Sequence, residues 1–410
     1  MRPTRREVVW LVVSWLAWAF VAIHVKGPWD TILEGGDHWS HFGYSELFLR
    51  HGFAVFDNSP KKFCTGVLPQ RKAAFAKDAD CWNLFLCDMP DAPASRPLCI
   101  NWQELGPAAY PLGLVLLSIP QALLYEHTPL SFRTINVLTI LQYLAFAHLL
   151  FWVLWRVVFP APARDDMLGG VRWELTNPWL RVTLFGLVYL EVIKQTLNGF
   201  YDPLAIFAVL LGAYFLAKRR SLDALVALSA ALFLHYRALW YAPLLAYAAL
   251  QTVRRKDWAR PRSALKIAAS VVMLGLFAYT FLALHPFLKN WPETNPILWK
   301  ALTPWKLEAW SLLLPMAFLL LYLLWGGHWL LLLSIACQLC ILVGFTRQVM
   351  PWHALFLLPM FGVARLDEER SAMLAALIFY VVEAAVVFNA LPLPGELVSA
   401  LAKNWGPWSL

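Results

Sequence analysis

The residues that could carry out chemistry in this 410-residue chain are the ionisable side chains that interrupt its apolar segments. Charged groups among apolar residues are costly to bury, so by default they indicate functional sites. An acid from one segment and basic residues from several others would suit transfer from a phosphate-linked donor, with the acid deprotonating an acceptor hydroxyl and the cations neutralising the leaving phosphate. The groups are Asp37/His38/His41, Glu191/Lys194/Asp202, His235/Arg237 and Arg347/Gln348/His353.

The elements that must position these groups are predicted to be membrane-spanning helices. The chain is 60% hydrophobic and only 15% charged, too apolar for a single soluble core. We expect an all-α fold, a polytopic bundle of roughly 9–12 membrane segments in one domain covering residues 1–410. The net charge of +8 does not indicate a nucleic-acid partner. The basic residues cluster at 2–6, 218–220 and 254–262, between apolar segments, as cytoplasmic loops do.

Two of the apolar segments are predicted to be broken. Segment 108–125 contains Pro120 and is expected to be re-entrant, because a full crossing there would move residues 198–202 to the inner side. Segment 222–250 is interrupted at His235-Tyr236-Arg237, and each half is only ~20 Å long. We therefore expect a hairpin of two short helices with a polar outer tip. The other predicted segments are 8–25, 134–159, 178–197, 204–217, 264–284, 312–325, 329–345, 354–363 and 372–391.

Residues 26–107 are predicted to form the first external loop. Within it, residues 38–55 combine apolar and charged side chains as an interfacial amphipathic helix does. Cysteines in one loop on the non-cytoplasmic face suggest two disulfides, with all three pairings open. A zinc site is disfavoured because the spacing contains no Cys-x-x-Cys, and no metal site is predicted. The four cysteines are Cys64, Cys81, Cys87 and Cys99.

This arrangement resembles the GT-C superfamily of polytopic membrane glycosyltransferases over most of residues 8–365. Gly36-Asp37-His38 is similar to the site of the family's catalytic acid, just after the first helix. Tyr110-Pro111 is similar to a Tyr-Pro-Pro-like start of the second segment. His235 and Arg237 precede Pro243, where such enzymes commonly meet the lipid phosphate. Residues 347–359 are similar to a late outer-face segment that lines the site.

The resemblance implies an inverting glycosyltransferase that takes sugar from a polyprenyl-phosphate donor. The acceptor would be a lipid, a glycan or a protein on the periplasmic or luminal face of a bacterial inner membrane, or of the endoplasmic reticulum in a eukaryote. Asp37 would be the general base. No cofactor is predicted, and divalent-metal assistance stays open because His38 follows Asp37 where many members have a second acid. The expected substrate-binding residues are Arg237, His235, Lys194, Arg347, His353, Tyr110, His38 and Asp202.

Several of these residues also have purely structural interpretations. Asp37 would serve equally well as the N-cap of the following helix. Glu191 and Lys194 would neutralise one another inside a bundle, and for Asp202 a helix cap before Pro203 is the favoured interpretation. The alternative functions are a transporter or flippase for a lipid-linked substrate, and a lipid-linked glycan ligase or polymerase. No inverted repeat is visible, and the large loop comes early, whereas ligases usually have it late.

Overall fold

The computed structural model describes most of the apolar segments and few of the long connections. It covers residues 4–25, 38–58, 108, 111–128, 130, 132–158, 186, 189–190, 192–194, 196–197, 201–259, 263–284, 308–344 and 355–364. All regular secondary structure in these ranges is helical, so the all-α prediction is confirmed there. The predicted last segment at 372–391, most of the predicted cap in the first loop, and its four cysteines lie outside the described residues.

The first helix docks along the long fifth helix. Helix α1 (Arg5–Phe20) starts with a capping box, in which Thr4 Oγ1 accepts the Glu7 backbone N–H and the Glu7 carboxylate accepts that of Thr4. It ends in a π-helical turn, Val21–Val25. The Trp15 indole donates to the Leu141 carbonyl at 3.0 Å, on helix α5 (Phe132–Val158).

Between α1 and α5 lie the expected interfacial helix and the expected broken segment. Helix α2 (His38–His51) continues as the 3₁₀ turn Gly52–Phe56 and packs on α3 (Leu112–Leu117) and α4 (Ile119–His127). The break between α3 and α4 falls at Ser118, beside the predicted Pro120. A Cβ on Gly113 would lie 2.4 Å from the backbone oxygen of Phe233, so α3 requires glycine where it meets the helix that contains Phe233.

Three consecutive helices form the centre of the hydrophobic core. These are α6 (Asp202–Ala217), α7 (Ser221–Leu234) and α8 (Ala242–Arg254). Helix α6 is apolar on nearly every face and is buried on nearly all of them. A 3₁₀ turn, Tyr236–Tyr241, joins α7 to α8, which confirms the predicted interruption of segment 222–250. Because the chain reverses after each helix, the start of α6 and the α7–α8 link lie at the same end.

The remaining described helices pack around this core. They are α9 (Ser263–Ala278) with a π-helical turn at Tyr279–Leu284, α10 (Glu308–Trp325), α11 (His328–Gly344) and α12 (Pro359–Ala364), which follows the 3₁₀ turn Leu355–Leu357. Gly326 and Gly327 turn the chain between α10 and α11 at φ +74° and +94°, where glycine has no steric penalty. The Ser334 hydroxyl then ties α11 to the Pro315 carbonyl of α10 at 2.7 Å.

Within the described part of the chain, two helices are long and apolar enough to cross a membrane, at Arg5–His24 and Ser263–Phe281. Both present large apolar side chains outward: Val13 of the first is 59% exposed, and Leu265 of the second is 79% exposed. Such surfaces favour contact with lipid over water. By length and composition, these two helices give weak support for association with a membrane.

Candidate functional site

The described residues bring one carboxylate and two basic side chains together where the core helices begin and end. Asp202 Oδ1, at the start of α6, lies 3.4 Å from His235 Nε2 and 3.6 Å from Arg237 Nη1. The carboxylate is almost fully buried, with a side-chain exposure of 3%. A buried charge is tolerated when it is paired, and Asp202 has two basic partners from another segment.

The local sequence explains why Asp202 points at these partners. Pro203 occupies the first turn of α6, where its missing N–H costs nothing. The N-cap residue is Tyr201, and no side chain makes a capping hydrogen bond. The favoured prediction that Asp202 caps this helix is therefore wrong. Its carboxylate faces across to the α7–α8 link, and its predicted place among the substrate-binding residues stays a prediction.

The backbone of that link sets the orientation of His235. His235 ends α7 in an extended conformation, and its Nδ1 accepts the backbone N–H of Arg237 at 3.0 Å. A neutral imidazole that accepts at Nδ1 carries its proton on Nε2, the atom that faces Asp202. His235 is therefore a neutral donor to the carboxylate.

Aromatic side chains pack around these polar residues, and one of them, Phe356, comes from a third segment. The Phe356 ring lies 4.7 Å from the His235 ring, and the Arg237 guanidinium lies 5.7 Å from the Phe356 centroid. The Tyr201 ring stacks on His235 at 5.1 Å. The Tyr241 hydroxyl donates to the Phe356 carbonyl, which fixes the Leu355–Leu357 turn against the link. Three stretches far apart in sequence thus form one site.

Of the three side chains in the cluster, that of Arg237 is the most accessible to a ligand. Its side chain is 22% exposed, whereas those of Asp202 and His235 are 3% and 4% exposed. A guanidinium carries a permanent positive charge and five N–H donors in a planar fork, so the exposed part of Arg237 suits an anionic ligand. The site can therefore bind an oxyanion through Arg237, while Asp202 and the Phe356 ring hold the guanidinium in place.

Among the described residues, Lys194 makes no ion pair with this cluster, and its predicted binding role stays a prediction. Lys194 is exposed, while Val192 and Ile193 beside it are buried. The predicted pairing of Lys194 with Glu191 lies outside the described residues, as do the predicted roles of Asp37, Tyr110, Arg347 and His353. His38 starts α2 as expected, but its side chain is also outside them. Within the described part of the chain, no three His, Cys, Asp or Glu side chains cluster as metal ligands would.

Sequence reasoning missed Tyr201, Tyr241 and Phe356. Aromatic residues inside apolar segments look like ordinary core residues, and their distances along the chain give no sign that they meet. The only usable signal was the position of Tyr201 next to an ionisable residue at a helix break.

No family model matches the chain, and neither the curated proteins nor the solved structures contain a match.

Proposed function

We propose that this chain is an integral membrane glycosyltransferase of the GT-C type. It would transfer a sugar from a polyprenyl-phosphate donor to an acceptor hydroxyl on the periplasmic or luminal face, with inversion. The observation that carries the proposal is the Asp202–His235–Arg237 cluster, in which a buried carboxylate contacts both a neutral imidazole and a partly exposed guanidinium at a break between apolar helices.

A phosphate is the ligand class that this cluster suits best. The guanidinium offers parallel donors that match two phosphate oxygens, and its contact with the Phe356 ring lowers the number of orientations it can adopt. In the proposed reaction the bond between the sugar anomeric carbon and the phosphate oxygen breaks, and the phosphate leaves with the electron pair. Arg237 would stabilise the charge that develops on that oxygen.

Helix lengths support a lipid-borne donor. Helices α7 and α8 contain 14 and 13 residues, and at ~1.5 Å per residue each is about 20 Å long. The hydrocarbon core of a bilayer is ~30 Å thick, so a hairpin starting at the inner surface ends short of the outer one. In a polytopic arrangement the cluster would then lie at a depth that a lipid phosphate can reach. Outward-facing apolar residues on α1, α9 and α10 are consistent with that arrangement.

The general base must come from elsewhere, because Asp202 is unsuited to that role. Its side chain is 3% exposed and its oxygen already faces two partners, so an acceptor hydroxyl has no approach. Asp37 remains our proposed base, on the strength of its position after the first helix and the family resemblance. It would accept the proton of the acceptor hydroxyl as that oxygen bonds to the sugar.

The test is donor turnover by the purified full-length chain in detergent. Polyprenyl-phosphate hexoses and pentoses are supplied with membrane extract as the acceptor source, and release of free polyprenyl phosphate is measured. We expect release by the wild type, at least a hundredfold loss in Asp37→Asn, and little change in the control Asp223→Asn, which lies at the opposite end of α7. Movement of the intact donor across vesicles, without its consumption, would instead support the transporter alternative.

A further inference from the structure

We propose that the end of the core opposite Asp202 carries a binding site for the headgroup of an anionic phospholipid. This site, the basic turn surface, consists of the turn Lys218–Arg220 after α6, of Arg254 at the end of α8 and of residues 255–259 that follow it. Helix α6 separates it from the Asp202 cluster by 16 residues, or ~24 Å. The proposal does not depend on the glycosyltransferase function.

The two turns are built as one unit. Arg255 Nη1 donates to the Arg219 carbonyl at 2.7 Å, and the Ser221 hydroxyl donates to the buried Asp257 carboxylate at 2.5 Å. The Ser263 hydroxyl donates to the Asp257 backbone oxygen, which adds the start of α9. These hydrogen bonds hold the two turns, and the start of α9, in fixed positions relative to one another.

Each turn places a basic residue where a helix end normally has glycine. Arg219 has φ +57° and Lys256 has φ +53°, both in the left-handed region. At Arg219 the N–H of Arg220 bonds to the Phe215 carbonyl at 2.8 Å, the long bond of a Schellman motif. Glycine takes this conformation without steric penalty, and a residue with a Cβ does not. A strained cation in both turns indicates that the side chains themselves are useful.

The charge of this surface is largely unneutralised. Asp223 pairs with Arg220 at 2.7 Å and also with Lys266. Among the described residues, no carboxylate lies within ion-pair distance of Arg219, Arg254 or Lys256, and all three are exposed. These cations match an anionic partner by charge.

Apolar side chains beside the cations identify a membrane lipid as that partner. Trp258 is 57% exposed, Val253 is 64% exposed, and Leu265 is 79% exposed. A soluble anion gains nothing from such residues. The glycerol and upper acyl region of a phospholipid would contact these apolar side chains, and its phosphate would contact the cations. Tryptophan is an aromatic residue typical of that depth in the membrane interface. Helix α9, a candidate membrane span, starts in this surface.

The test compares lipids bound to the full-length protein in detergent, by native mass spectrometry. Phosphatidylglycerol and phosphatidylcholine with the same acyl chains are titrated against the wild type and against the double variant Arg219→Gly/Lys256→Gly. We expect the wild type to prefer phosphatidylglycerol and the double variant to bind it about tenfold more weakly. Glycine accepts both backbone conformations, so the melting temperature should not fall.

Matched variants separate this site from general charge attraction. Arg5→Gln/Arg6→Gln removes two exposed charges from α1 and should change the affinity less than about twofold, while Trp258→Ala should weaken lipid binding. Arg254→Gln removes an exposed charge without touching either turn, and should lower the affinity about threefold even if the glycine variant folds poorly. Equal losses in the α1 variant, no preference for phosphatidylglycerol, or equally tight binding of soluble pyrophosphate would overturn the proposal.

Discussion

Replacing Asp202 with Asn should lower the free energy of unfolding, and the size of the loss should depend on whether Arg237 is present. At 3.6 Å, two unit charges attract by about 4–5 kcal/mol at an effective dielectric constant near 20. The desolvation cost of burying the two charges offsets part of this attraction. Water also screens it, because 22% of the Arg237 side chain is exposed. We therefore expect a net coupling of about 2 kcal/mol between the two side chains.

A double-mutant cycle measures this coupling directly. The variants are Asp202→Asn, Arg237→Gln and the combination, and the free energy of unfolding is measured by titrating mixed micelles with sodium dodecyl sulfate. Each single variant should lose about 2–3 kcal/mol, because each leaves a buried or half-buried charge without its partner. The double variant should lose about 2 kcal/mol less than the sum of the two single losses.

A second ion pair in the same chain provides the control. Asp223 and Arg220 lie closer together, at 2.7 Å, but the Arg220 side chain is 47% exposed. Exposed pairs contribute less than about 1 kcal/mol, so the same cycle at Asp223 and Arg220 should give the smaller coupling. Losses at Asp202 and Arg237 that add within about 0.5 kcal/mol would refute the argument that burial makes this pair a unit.

Two other predictions concern how the site is built. Gly113→Ala should destabilise the protein by about 2 kcal/mol, because the new Cβ would meet a backbone oxygen of α7 at 2.4 Å, whereas Gly275→Ala has open space and should be neutral or stabilising in the same titration. Tyr241→Phe should cost about 1–2 kcal/mol by leaving the buried Phe356 carbonyl without its donor, and an unchanged unfolding free energy would contradict that hydrogen bond.

Helix positions followed from the sequence wherever a polar or proline interruption marked a break. The interruption at His235-Tyr236-Arg237 separates α7 from α8, and α4 starts beside Pro120 as expected. These predictions succeed because apolar segment length and helix-breaking residues are local properties. Helix bounds needed no knowledge of tertiary contacts.

The composition of the site could not be predicted to the same extent. His235 and Arg237 were expected to act together, but the sequence assigned Asp202 to a group with Glu191 and Lys194. A carboxylate beside a proline at a helix start looks like a cap, and only the tertiary packing of α6 against α7 turns it toward the link. Phe356 belongs to the same site although it lies 115 residues after Tyr241 in the sequence. No local pattern encodes that contact.

The affinity of the purified protein for polyprenyl phosphate, measured for wild type and Arg237→Ala, tests the central claim most directly. We expect Arg237→Ala to weaken binding by about tenfold to a hundredfold, as loss of a charge-assisted phosphate contact does, while Arg6→Ala binds as the wild type does. Asp37→Asn should retain the affinity and lose turnover. Unchanged polyprenyl-phosphate affinity in a folded Arg237→Ala variant would contradict the assignment of this cluster as the donor-phosphate site.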